Sequence, residues 1–251
     1  MKKGLFPVNS NCSLCHNRGI IIDDTDGKTA VPCKCIKQKA VWNRFKQSKL
    51  TLRMLNQTFE NFNFSYYAQD CFDPVKSISY YESAHITFQA AKSFTKEFLK
   101  DKQTDGLLFT GQVGSGKTFL ACCIANALIK ENQAVLFSVV PDLLDQIRFT
   151  YDSSRQAEYS EKDLVDTARE VPLLILDDLG AHNYTEWAQN KLYSILNYRL
   201  NNYLPTVITT NISLEELEKY LGERSTSRII QMCSPHRLLV DLDIRIVLRK
   251  K

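Results

Sequence analysis

The chain of 251 residues is 44% hydrophobic and 24% charged, ordinary for a globular protein and sufficient for a full core without disulfide staples. No apolar run approaches the ~20 residues of a membrane-spanning helix, so no membrane partner is expected. Charge is uneven: residues 1–53 carry eleven Lys and Arg against three Asp, a balance of +8, while the other 198 carry 21 against 25, a balance of −4. That basic end is expected to meet an anionic partner, nucleic acid or an acidic protein face, unless it is only a solvated helix.

At the start, Met1 to Val8 briefly resembles an export signal, but its apolar stretch is short and stops at Pro7 and Asn9. The expected location is therefore the reducing cytoplasm, where disulfides do not form. Cys12, Cys15, Cys33 and Cys35 then stand as C-x2-C-x17-C-x-C. Between the pairs, Ile20–Ile22 and Thr29–Val31 flank an Asp-Gly turn at Asp26-Gly27, a strand-turn-strand pattern that brings the two pairs together. Four thiolates so gathered predict a tetrahedral zinc site. His16 is an alternative ligand, strained by its position beside Cys15, and plain buried thiols are the other reading. Cys71, Cys122, Cys123 and Cys233 are scattered and expected to be core or incidental.

Residues 36–55 read as a basic helix with Trp42, Phe45, Leu52 and Leu55 on its apolar side; residues 57–62 read as a connector; Ser77 to Leu99 reads as a second helix. Beyond Lys102 strands and helices alternate: strands at 106–110, 134–139, 171–177 and 205–210; helices at 117–131, 141–150, 185–200 and 214–221. Two short strand-like pieces follow at 238–240 and 244–248. Apolar strands alternating with helices predict an α/β fold, a parallel sheet sandwiched by helices.

Gly111 to Thr118 reads GQVGSGKT, the full G-x4-G-K-[ST] pattern, after an apolar strand and before a helix. Its glycines let backbone amides wrap a phosphate, and the helix adds its positive end. Gly111, Gly114, Ser115, Gly116, Lys117, Thr118 and Phe119 are the expected ATP-binding set, with Lys117 on the β/γ-phosphates and the Thr118 hydroxyl on Mg2+. After the aliphatic run Leu173–Leu176, Asp177 is expected to hold Mg2+ and Asp178 to polarise the attacking water as general base. Asn211, after the next strand, is a candidate sensor of the γ-phosphate or of the water. Arg224 and Arg228, four apart on one helix face, either bridge to acids or reach a neighbouring subunit's phosphates.

Together these segments resemble AAA+ ATPases, specifically the DnaC/DnaI/IstB group of bacterial and phage ATPases. The likeness rests on Gly111–Thr118, LLILDDLGA at 173–181, Thr209-Thr210-Asn211, LGERSTSRI at 221–229, and TFENF at 58–62. It implies an AAA+ ATPase core at 101–251 with a truncated lid, a connector and first helix at 56–100, and a zinc-bearing, partner-binding segment at 1–55. That last segment is similar to the amino-terminal part of DnaC-like proteins, which IstB-type proteins generally lack. The implied function is ATP-dependent loading of the replicative hexameric DNA helicase, with side-by-side self-association and contact to single-stranded DNA. In that frame Arg228 matches the arginine finger, Arg224 lies beside it, and Arg245 matches a late arginine. Arg148, Phe149 and Tyr151 supply the cation and rings that single strands favour. Asp178 departs from the Asp-Glu common in AAA+ proteins. The alternatives are an IstB-like transposition helper and a nucleotide-gated adaptor with negligible turnover.

Overall fold

The computed structural model describes residues 15, 18–22, 30–33, 47–151, 160–180 and 184–249. Strands β1 (Ile20–Ile22) and β2 (Ala30–Pro32) pair antiparallel, with Ile21 opposite Val31. The turn between them, together with Cys12, His16 and Cys35, lies outside the described residues.

Of the expected basic helix at 36–55, most lies outside the described residues, and residues 48–55 are not α-helical. Instead the Ser48 carbonyl accepts from the Phe137 amide at 2.8 Å. Three single-turn 3-10 helices follow, at Met54–Asn56, Phe59–Asn61 and Phe64–Tyr66. Residues 57–62, expected as a connector, carry Phe59 and Phe62, and both rings pack against the core. The buried Asn126 side chain pins this strap by donating to the Met54 and Gln57 carbonyls at 2.8 and 2.9 Å.

Helix α1 (Tyr80–Lys100) opens on a reciprocal cap: the Ser79 hydroxyl accepts from the Glu82 amide, and the Glu82 carboxylate accepts from the Ser79 amide. The chain then runs β3 (Gly106–Thr110), α2 (Lys117–Lys130), β4 (Val135–Val139), α3 (Val140–Phe149), α4 (Glu161–Glu170), β5 (Leu173–Leu179), α5 (Glu186–Asn201), β6 (Thr206–Thr210), α6 (Leu214–Leu221), α7 (Glu223–Met232), β7 (Cys233–Arg237) and α8 (Ile244–Arg249). The five strands of the large sheet stand in the order β4-β5-β6-β3-β7, every neighbouring pair parallel.

Because side chains alternate along a strand, the apolar strands feed two cores at once. Leu107, Phe109, Phe137, Ile175 and Val207 face α1 and α2. Leu108, Leu136, Leu174, Leu176 and Ile208 face α3 to α7. The strands read as continuous aliphatic runs for this reason.

Two sequence expectations at the carboxyl end are corrected. The final strand is Cys233–Arg237, not residues 238–240, and residues 244–248 form helix rather than strand. Cys-Ser-Pro-His-Arg looks like no strand, yet β7 is a sheet edge, where proline is tolerated. Its ladder stops at Arg237 opposite Thr110, the last residue of β3. At 244 the β-branched pattern yields to a local cap, in which the Arg245 amide donates to the Asp243 carboxylate at 2.8 Å. Helix α4 was not expected. Its signals are a Ser160/Asp163 reciprocal cap and only two buried positions, Val165 and Ala168, in a polar stretch.

Candidate nucleotide site

The loop Gly111–Gly116 joins the end of β3 to the start of α2. Leu238, just past β7, donates its amide to the Thr110 carbonyl at 2.8 Å, so the chain after β7 runs alongside the loop. Val240 donates to the Gln112 side chain at 3.2 Å, and Ile244 to the Gly114 carbonyl at 3.2 Å. Gly114 has φ +74°, and a Cβ there would lie 2.0 Å from the Asp243 carboxylate, so only glycine fits. Asp243 is gripped in turn by the Arg245 guanidinium at 2.8–3.2 Å.

Lys117, the first residue of α2, is only 5% exposed. Its ammonium donates to the Gly111 and Gln112 carbonyls at 2.7 Å each, and to the Ser115 hydroxyl at 3.3 Å. Burial pushes its pKa down to about 8, opposed by the carboxylates of Asp178 and Asp177. The Phe119 ring meets Phe62 edge-on, with centroids 5.9 Å apart.

The Thr118 hydroxyl donates to Asp177 Oδ1 at 2.8 Å. The same oxygen accepts from the Thr209 hydroxyl of β6 at 2.7 Å. Asp177 is buried, and desolvation raises its pKa, opposed by these two hydroxyls and reinforced by the charge of Asp178. The β5–β6 register shifts between Leu176 and Leu179, and Asp178 adopts φ +61°, a conformation aspartate tolerates better than most residues. Its amide donates to the Thr209 hydroxyl at 2.9 Å. Its carboxylate accepts from the Asn211 side-chain amide at 2.6 Å. Thr209 thus bridges the two acids through two strand-tip contacts. The sequence reading passed over it, although it stands within the quoted Thr-Thr-Asn segment.

Arg228 sits elsewhere. Its guanidinium donates to the Asn197 side chain of α5 at 3.1 Å and to Gln231 at 3.4 Å, not to the loop. Arg224 is exposed on the same helix. Arg148, Phe149 and Tyr151 lie exposed at the end of α3. Trp187, missed from sequence, joins them: Arg148 stands 5.4 Å from its ring centroid, and its indole N–H donates to the Tyr151 hydroxyl at 3.3 Å.

In the small hairpin Cys15 and Cys33 are both buried and share one cluster with Ile21. The Cys33 amide donates to the Gly19 carbonyl at 2.7 Å, and the Gly19 amide donates to Cys15 Sγ at 3.4 Å. Among the described residues no cluster of three metal-ligating side chains occurs; Cys12 and Cys35 lie outside the described residues.

A glycine loop with its lysine and threonine, opposed by an acid at the tip of β5 and a polar residue at the tip of the central strand β6, defines a P-loop ATPase of the AAA+ class. The profile of the IstB-like ATP binding proteins matches residues 37–236, and the chain belongs to that family. It is 28% identical over 170 residues to the replicative helicase loader DnaC of Escherichia coli K12, covering 68% of this chain and 63% of that protein. To the replicative helicase loader DnaI of Bacillus subtilis 168 it is 29% identical over 164 residues, covering 60% and 51%. The matched region therefore spans less than two thirds of either relative. A crystal structure of the DnaC helicase loader superposes with a TM-score of 0.59 at 26% identity, covering 76% of this chain and 100% of that one.

Proposed function

We propose that the protein is an ATP-dependent loader of a replicative hexameric DNA helicase, at work in the cytoplasm. The observation that carries this reading is the union of a complete phosphate loop with Asp177 in a chain whose relatives are named helicase loaders.

The loop amides and the Lys117 ammonium hold the phosphates of ATP. Thr118 and Asp177, already joined through one oxygen, fit Mg2+, which supplies charge to neutralise phosphate oxygens. Asp178, steadied by Asn211, takes the proton of the attacking water. Arg228, with Arg224 beside it, completes the site of a neighbouring copy, where a guanidinium stabilises charge on the transferring phosphoryl. This fits its position on α7, bonded to α5 rather than to its own loop.

Residues 1–55 grip the helicase, with Cys12, Cys15, Cys33 and Cys35 holding a structural zinc ion. The burial of Cys15 and Cys33 in one small cluster supports two of the four ligands. Single-stranded DNA meets the exposed Arg148, Phe149 and Tyr151. Residues 56–100 then belong with the ATPase core at 101–251, a division supported by the side chains of α1 that share a core with β3.

The test is co-purification of the full chain with its cognate replicative helicase, with and without residues 1–55. Retention that depends on those residues supports the loader; retention indifferent to them removes the gripping role, and no retention at all sinks the loader reading. The family's IstB-like description favours one other reading, a transposition helper. That reading requires duplex DNA binding and a transposase partner, which the same purified protein can be offered.

A further inference from the structure

Tyr67 lies in the strap before α1, outside every motif of the nucleotide site, yet its side chain reaches the phosphate loop. It is 4% exposed, and its hydroxyl donates to the Ser115 carbonyl at 2.9 Å. The ring is fixed from behind by Phe62, stacked with centroids 5.6 Å apart and planes 16° apart. The Tyr67 amide is tied down by the Phe64 carbonyl at 3.1 Å. A Cβ on Gly116 would stand 2.8 Å from the Tyr67 oxygen, so the hydroxyl is seated against the loop backbone itself.

The Ser115 carbonyl and the Gly116 amide belong to one peptide unit. In a planar trans peptide the C=O and N–H point to opposite sides, and no cis bond occurs among the described residues. Holding the carbonyl toward Tyr67 therefore turns the Gly116 N–H the other way, into the concave side of the loop. Gly116 has φ +98°, and glycine's broad conformational freedom leaves this peptide plane free to rotate unless something outside the loop holds it. Among the described hydrogen bonds, the Tyr67 hydroxyl is the contact that does so.

We infer that Tyr67 is a positioning residue for nucleotide: its hydroxyl locks the Ser115–Gly116 peptide plane so that the Gly116 amide faces the phosphates. The strap, pinned to α2 by Asn126, thereby becomes part of the nucleotide site. This rests on the P-loop reading above and adds a residue to it.

Calorimetry of ATP and Mg2+ binding to the full chain, wild type against Tyr67→Phe, tests the inference. Removing the oxygen strands a buried carbonyl and frees the plane, so the expected result is a Kd raised roughly tenfold, about 1.4 kcal/mol, with unchanged binding stoichiometry. A merely structural tyrosine would instead lower the stoichiometry, as part of the sample unfolds, and leave Kd alone. That outcome, or an unaltered Kd, overturns the inference. Phe62→Leu, which loosens the ring and keeps the hydroxyl, is expected to raise Kd by a smaller factor. Should wild type itself take up no nucleotide, the P-loop reading fails and carries this inference down with it.

Discussion

Thr118 and Asp177 stand 59 residues apart in the chain and meet at 2.8 Å, hydroxyl to carboxylate. Both are oxygen donors of the kind Mg2+ prefers, and both converge at the mouth of the phosphate loop. Thr118→Ala is expected to weaken Mg2+-dependent ATP binding about tenfold or more, while binding in EDTA changes little. Thr118→Ser keeps the oxygen and restores the metal dependence. Titrations with and without chelator decide it; a Thr118→Ala protein that responds to Mg2+ like wild type counts against the assignment.

Lys117 carries a pH signature. Burial lowers its pKa from 10.5 to about 8, so between those values the native chain holds fewer protons than the unfolded one. Stability attributable to this group therefore rises with pH across that window, and the cost of burying its charge is fully felt below it. Phosphate demands the charged form. Nucleotide affinity is thus expected to fall as pH rises through about 8, by up to roughly tenfold per unit, with a proton taken up on binding. Calorimetry at pH 8.5 in buffers of contrasting ionisation heat measures that proton, and a heat independent of buffer would contradict it.

Asp178 and Asn211 share a 2.6 Å hydrogen bond beyond the strand tips. Asp178→Asn should leave ATP affinity near wild type and lower the hydrolysis rate by about 10²- to 10⁴-fold, the scale of a lost general base. Asn211→Ala, which only frees that carboxylate, should cost less. Single-turnover hydrolysis separates the chemistry from release. Wild-type rates in Asp178→Asn would assign the base elsewhere.

Arg199 is fully buried and, among the described residues, partnered by no carboxylate. Its guanidinium donates to the carbonyls of Ala168, Arg169, Val171 and Pro205 and to the Thr206 hydroxyl, tying the end of α4 to the start of β6. Burial pushes its pKa down to about 9. Arg199→Met strands these acceptors and is expected to destabilise the protein by about 3 kcal/mol or more. Arg199→Lys, a point donor in place of a planar fork, should recover only part of the loss. Urea unfolding midpoints report both, and a loss under about 1 kcal/mol would show that the acceptors find other partners.

What lay in the sequence and what waited for the structure divide along chain distance. GQVGSGKT, the aliphatic run into Asp177-Asp178 and the alternation of strands with helices were readable, because each is a local pattern whose geometry follows from neighbouring residues. The tail was misread for the same reason: the β-branched Ile244–Leu248 pattern says strand, whereas Asp243 caps a helix there, and β7 looks like a turn yet pairs with β3 because an edge was open.

The amino-acid sequence alone determined that a triphosphate loop opens a helix after a buried strand and faces two acids at another strand's tip. Only the tertiary structure decided that Thr209 bridges those acids, that Arg228 turns to α5, and that Tyr67 closes on Ser115. The physical reason is that a tyrosine 48 residues before its acceptor leaves no periodicity to read. Its hydrogen bond exists only once the strap is packed against α2 and water has been excluded from between them.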